Sequence, residues 1–188
     1  MLQKAITQPQ NETARNLLIR CQVIVSIAEE LYSGYDWVNV LIIADDPEAP
    51  AFDQVTKLRK AIQELVEKVD LLAFSREGIF FNQRKTSRKD NTDIGSVQSI
   101  IANRKYTLII VSLGTDNLKL FFEKSNIMQF LRNSPSRIRM YVFGASRVLN
   151  EIETSGSVDL FPYSRPGVAK LTQEFKNAIL NYVKKEQG

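Results

Sequence analysis

Residues 38–44 read VNVLIIA and residues 106–112 read YTLIIVS. Each is of strand length, rich in β-branched residues, and built on a continuous apolar run, VLIIA at 40–44 and LIIV at 108–111. Each is followed by turn formers, Asp45-Asp46-Pro47 after the first and Gly114 after the second. A strand with one wet face alternates apolar and polar residues, so an unbroken run needs cover on both faces. These two segments therefore predict central strands of a parallel sheet.

Working outward, Phe52, Val55, Leu58, Ile62, Leu65 and Val66 recur at helical spacing between the two runs, followed by VDLLAF at 69–74 as another strand. Residues 75–92 are polar and basic apart from the short GIFF run, and predict a long loop with room for a small hairpin. Thr92 or Asp93 can cap a helix carrying Val97, Ile100 and Ile101, because a short side-chain oxygen accepts an otherwise orphaned backbone N–H. Past Gly114, Asp116 or Asn117 can cap a helix with Leu118, Phe121, Phe122, Ile127, Met128 and Leu131, which Pro135 ends. IRMYVF at 138–143 and VDLF at 158–161 complete a set of five strands, with a short helix around 148–152 between them. Pro166-Gly167 opens a last helix with Val168, Leu171, Phe175, Ile179, Tyr182 and Val183 on one side. Strands alternating with amphipathic helices predict a doubly wound α/β domain, a five-stranded parallel sheet covered on both faces.

Ahead of the first strand, Ala14, Leu17, Leu18, Cys21, Ile24, Ala28 and Leu31 mark an extra N-terminal helix over 13–33, after a polar tail at 1–12. That helix either packs on the domain or forms a homodimer interface, and the sequence leaves both open. The chain of 188 residues fits a single domain with its own core. It has one cysteine and no histidine, which removes a disulfide framework, Ser-His-Asp catalysis and the usual zinc sites. No metal or cofactor is expected. No apolar run reaches the ~20 residues of a membrane span, and the first residues lack a secretory core, so the expected location is cytoplasmic. The formal net charge is +4, and Arg84, Lys85, Arg88 and Lys89 form a local cluster. Such a cluster can touch phosphates or an acidic partner, but is more often a solvated loop; nucleic acid is the weaker expectation.

In parallel sheets, ligands and switches sit outside the carboxyl ends of the strands. Asp45, Asp46, Ser112, Ser146 and the Ser164-Arg165-Pro166 turn are therefore the candidate site. Here VLIIADDPE resembles the first strand of response-regulator receiver domains, where two acids end the strand. KYTLIIVSLGTDN, IRMYVFGAS and VDLFPYSRPGVAKLTQEFKNAIL resemble that family's third strand, fourth strand, and fifth strand with last helix. The resemblance covers most of 38–183 and implies a flavodoxin-like, receiver-like fold. It places Ser112 where the phosphorylated aspartate belongs and Arg165 where a lysine belongs. A receiver uses three carboxylates to hold magnesium, one of which attacks the phosphoryl donor. The departures imply a degenerate site, a pseudo-receiver acting by protein contacts without phosphorylation.

In that reading Arg165 pairs with Asp45 or Asp46 through two hydrogen bonds, which a lysine cannot match. The bland alternative makes Asp45-Asp46-Pro47 a turn and helix cap. Ser146 is either a remnant switch hydroxyl or a helix cap. The family's habit of binding through its fourth strand and last helix implies a surface with Tyr141, Phe143, Val148, Leu149 and Tyr163; Tyr141 and Phe143 are equally explained as core. A rival likeness is to TIR-like domains, some of which cleave NAD. Ser112 followed by LFFE resembles their strand-ending serine and helical glutamate, which would make Glu123 catalytic; the plainer reading is a solvated residue. A third alternative is a structural subunit of a larger complex.

Overall fold

The structure is a computed structural model that describes residues 19–20, 22–27, 39–45, 60, 64, 67–84, 86, 89–104, 106–134, 138–153, 156–164 and 168–187. Residues 19–27, with 21 left out, form helix α1. Strand β1 (Val40–Asp45) follows, then β2 (Asp70–Ser75), β3 (Gly78–Asn82) and β4 (Lys89–Thr92). A short 3-10 turn at Ile94–Ser96 leads into α2 (Val97–Asn103), then β5 (Leu108–Ser112), α3 (Thr115–Lys124) and α4 (Ile127–Asn133). Strand β6 (Arg139–Ala145), α5 (Ser146–Leu149), β7 (Val158–Tyr163) and α6 (Val168–Gln187) complete the order.

The fold is α/β, but among the described residues the sheet has seven strands and not five, in the order β4-β3-β2-β1-β5-β6-β7. The five expected strands are present and pair in parallel with β1 and β5 at the centre. The two additional strands come from the stretch expected to be a loop. GIFFN turns back antiparallel on β2, and KDNT pairs antiparallel with it at the edge. The small hairpin for which the stretch had room is present, and its second strand, Lys89-Asp90-Asn91-Thr92, left no mark because it carries no apolar residue at all. Polar side chains are what an exposed edge strand uses to discourage further pairing. At the opposite edge β7 runs through Pro162, tolerated there because an outer strand need not donate every N–H.

Alternate residues of the central strands feed two cores, as the period of two requires. One face gathers Val40, Ile42, Ala44, Leu108, Ile110, Tyr141 and Phe143 beneath α1 and α6. The other gathers Leu41, Ile43, Ile109, Val111, Met140 and Val142 beneath α2 to α5. On the first face Phe143 lies 5.0 Å from the Tyr163 ring and 5.3 Å from Phe175. Each such buried side chain stabilises the fold by about 1.5–3 kcal/mol.

The single helix expected over 118–131 is two. Ser125 turns its hydroxyl back onto the Phe121 carbonyl, and Asn126 adopts a left-handed φ of 56°. That conformation, which asparagine tolerates better than most residues, ends α3 and redirects α4. The expected cap at Asp93 is present, its carboxylate accepting the Ser96 N–H at 2.8 Å. The cap of α3 is Gly114 and not Asp116 or Asn117.

Gly144 in β6 lies directly under α3, where an added Cβ would collide with the Leu118 side chain. Gly144→Ala is expected to cost about 1–3 kcal/mol through overpacking, read as a lower urea midpoint at unchanged slope.

Candidate functional site

The carboxyl ends of β1 and β5 meet at Asp45 and Ser112, adjacent strands in a register that pairs Ala44 with Ser112. Asp45 is 7% exposed, and a carboxylate so placed must find donors. Arg20 supplies the first, its Nε donating to Asp45 Oδ2 at 2.9 Å. The Gly114 N–H reaches the same oxygen at 3.1 Å and shares itself with Oδ1, and Asn117 Nδ2 donates to Oδ1 at 3.2 Å. Asp45 thus fastens the start of α3 to the end of β1, at the positive end of that helix.

Arg20 is itself 4% exposed. Its Nη1 donates to the Tyr163 hydroxyl at 3.2 Å, which brings in the end of β7. Its backbone carbonyl accepts from Ser112 Oγ at 3.3 Å. Burial pulls the guanidinium pKa down, but the facing Asp45 and Tyr163 more than offset it, so the net shift is upward and Arg20 stays charged. The arrangement also explains Gly114. A Cβ there would lie 2.9 Å from Arg20 Nη2, so only glycine admits the guanidinium this close.

Among the described residues the acid of this site is Asp45 and its cation is Arg20. Asp45 and Ser112 are neighbours in one polar network, as the candidate site required. The cation on Asp45 is Arg20, from the helix ahead of the sheet; Asp46 and Arg165 lie outside the described residues. A signal for Arg20 existed. It stands four and seven residues before Ile24 and Ile27, on the buried face of α1, where a charge makes sense only with a partner. Ser112 is 1% exposed, with its hydroxyl spent on the Arg20 carbonyl.

Ser146 begins α5 half-buried. It is not the cap, which is Ala145 with no side-chain bond to the helix. Tyr141, Phe143, Leu149 and Tyr163 are buried and Val148 half-buried, so all but Val148 are core residues and cannot present the expected surface. Glu123 is exposed near the end of α3, about 12 Å along the helix from its start at the strand ends. In the basic stretch, Arg84 is half-buried and Lys89 opens β4, while Lys85 and Arg88 lie outside the described residues. Among the described residues no three acidic or thiol side chains converge as a metal cage, and no helix is long and apolar enough to cross a membrane.

A second buried carboxylate, Asp70, sits at the other end of the sheet. It accepts the Tyr106 hydroxyl at 2.6 Å and the Arg84 N–H at 2.8 Å, tying the β3–β4 turn to the approach to β5. Burial, then the bond to Asp70, pushes the Tyr106 pKa well above its ordinary value. Compared with protein-family models, curated proteins and solved structures, the chain matches none.

Arg20→Met leaves Asp45 buried without its cation, and is expected to cost about 3–5 kcal/mol in urea unfolding. Arg20→Met combined with Asp45→Asn should cost clearly less than the two single changes together, because the pair is coupled. At Tyr106 the raised folded pKa has a definite sign. The unfolded phenol ionises near pH 10 while the folded one keeps its proton, so stability falls as pH climbs above about 10. Tyr106→Phe should flatten that alkaline decline, at a cost of about 1–3 kcal/mol at neutral pH.

Proposed function

We propose that this chain is a non-enzymatic, receiver-like signalling or assembly module that acts through protein contacts and without aspartyl phosphorylation. The observation that carries the reading is the state of Asp45. Both its oxygens already accept from Arg20, Gly114 and Asn117. A magnesium ion needs such oxygens at about 2.0–2.1 Å and would also have to sit beside a fixed guanidinium. The neighbouring strand end offers Ser112, a hydroxyl that carries no negative charge at neutral pH and forms no acyl phosphate.

The strand order supports the same reading. The parallel part runs β2-β1-β5-β6-β7, the doubly wound order in which β1 stands at the switch point and the crevice opens above it. In an enzyme or a phosphorylated switch that crevice is open to small molecules. Here Arg20 fills it from α1, and Val23, Ile24 and Ile27 of the same helix are buried in the core. The closed site holds the strand ends in one arrangement, which suits a module whose output is a stable surface.

Magnesium with beryllofluoride, a stable mimic of a phosphoryl group, tests this. A ligand present at a hundred times its Kd stabilises by ~2.7 kcal/mol, or about 5–10 °C in Tm for a chain of this size. No rise is expected, nor any consumption of NAD. A rise of that size that Asp45→Asn abolishes would overturn the reading. NAD loss that disappears in Glu123→Ala would replace it with the TIR-like one.

A further inference from the structure

The edge of the sheet opposite Asp45 has a different character. Parallel strands begin there, and the fold brings to it segments far apart in sequence. The β3–β4 turn belongs to this edge, because Asn82 pairs with both Leu71 near the start of β2 and Lys89. Arg84 is in that turn, its backbone held on Asp70. Lys68 stands exposed just before β2, and Arg104 stands exposed at the end of α2, just before β5. The last turn of α6 reaches the same edge. The Tyr182 hydroxyl approaches the Thr107 carbonyl at 3.5 Å, and the exposed Lys184 and Lys185 follow.

The acids of this edge are largely engaged already. Asp70 is buried against Tyr106 and the Arg84 N–H. Asp159 is paired with Arg139 at 2.7 Å, and Asp90 accepts from Gln83. Glu67 and Glu186 remain exposed, each next to a lysine in the chain. Arg84 and Arg104 both act electrostatically on Tyr106, which puts their charges near one buried phenol. The Arg104 guanidinium carbon lies 4.7 Å from the centre of the Phe81 ring. The five N–H donors of such a group suit a phosphate.

The geometry points to this edge as a docking surface for the sugar-phosphate backbone of a nucleic acid. From β3 to β5 is three strand spacings, about 14 Å, the reach of roughly four nucleotides at ~3.4 Å axial rise each. A membrane surface fits less well, since peripheral binding also needs apolar side chains to insert. The one exposed large hydrophobic among the described residues is Leu120, on α3. Among the described residues no aromatic ring is exposed to stack on bases, so the contact reads charge and not sequence, and salt weakens it steeply.

The test is fluorescence anisotropy with a labelled 20-nucleotide oligo(dT). Three phosphate contacts predict about twentyfold weaker binding when salt rises from 50 to 200 mM. Arg84→Glu with Arg104→Glu should weaken binding at least tenfold and flatten the salt dependence, with Lys119→Glu on α3 unchanged. Lys184→Glu with Lys185→Glu, on an exposed helix end, should weaken it independently and carries the test if the first pair unfolds. Absence of binding at 20 mM salt would overturn the inference, as would full binding by both charge-reversed pairs. So would tighter binding to polyglutamate or to phosphatidylserine vesicles than to the oligonucleotide.

Discussion

A guanidinium and a carboxylate lie together at the carboxyl ends of β1, β5 and β7, nearly out of reach of water. Neither Arg20 nor Asp45 could be buried there alone, because an unpaired charge in such surroundings loses its hydration and receives nothing in return. The neighbouring choices follow from that pair. Gly114 has no side chain because Arg20 needs the room. Asn117 turns back to donate to Asp45 Oδ1, and Ser112 satisfies the carbonyl of the arginine itself. Helix α1 precedes the sheet in sequence, yet it is held by the sheet's own polar centre as well as by the apolar residues beside it.

The same chemistry appears, differently used, at the opposite end of the strands. Asp70 is also a buried carboxylate, but its partners are a phenol and a backbone N–H and not a cation. Its donors are neutral, and the half-buried Arg84 and exposed Arg104 stand near the Tyr106 phenol it holds. One end of the sheet is thus closed by an internal ion pair, while the other turns its cations outward.

Much of this was legible in the chain. The apolar runs VLIIA at 40–44 and LIIV at 108–111 pointed to doubly covered strands, since a strand with one wet face would alternate. The helical spacing after β5 and β7, the cap at Asp93 and the end of α4 near Pro135 were local matters, decided over a few residues, while the helix expected over 52–66 lies mostly outside the described residues. Asp45 was legible too, because an acid closing a buried strand has few places to go. The KDNT strand was not, because a solvated edge strand is held by backbone hydrogen bonds, which leave no hydrophobic mark.

What only the tertiary structure decided is which charges meet. Pairing across 25 residues between Arg20 and Asp45 leaves no periodic trace, and a single arginine among apolar residues reads equally well as a surface interruption. The convergence of Arg84, Arg104 and the end of α6 at one edge likewise depends on strand order. The sequence by itself determined the elements and the acid at the heart of the site. Its partner, and the face left open to the outside, came from folding, because electrostatic contacts depend on distance in space and periodicity records only the way each segment faces.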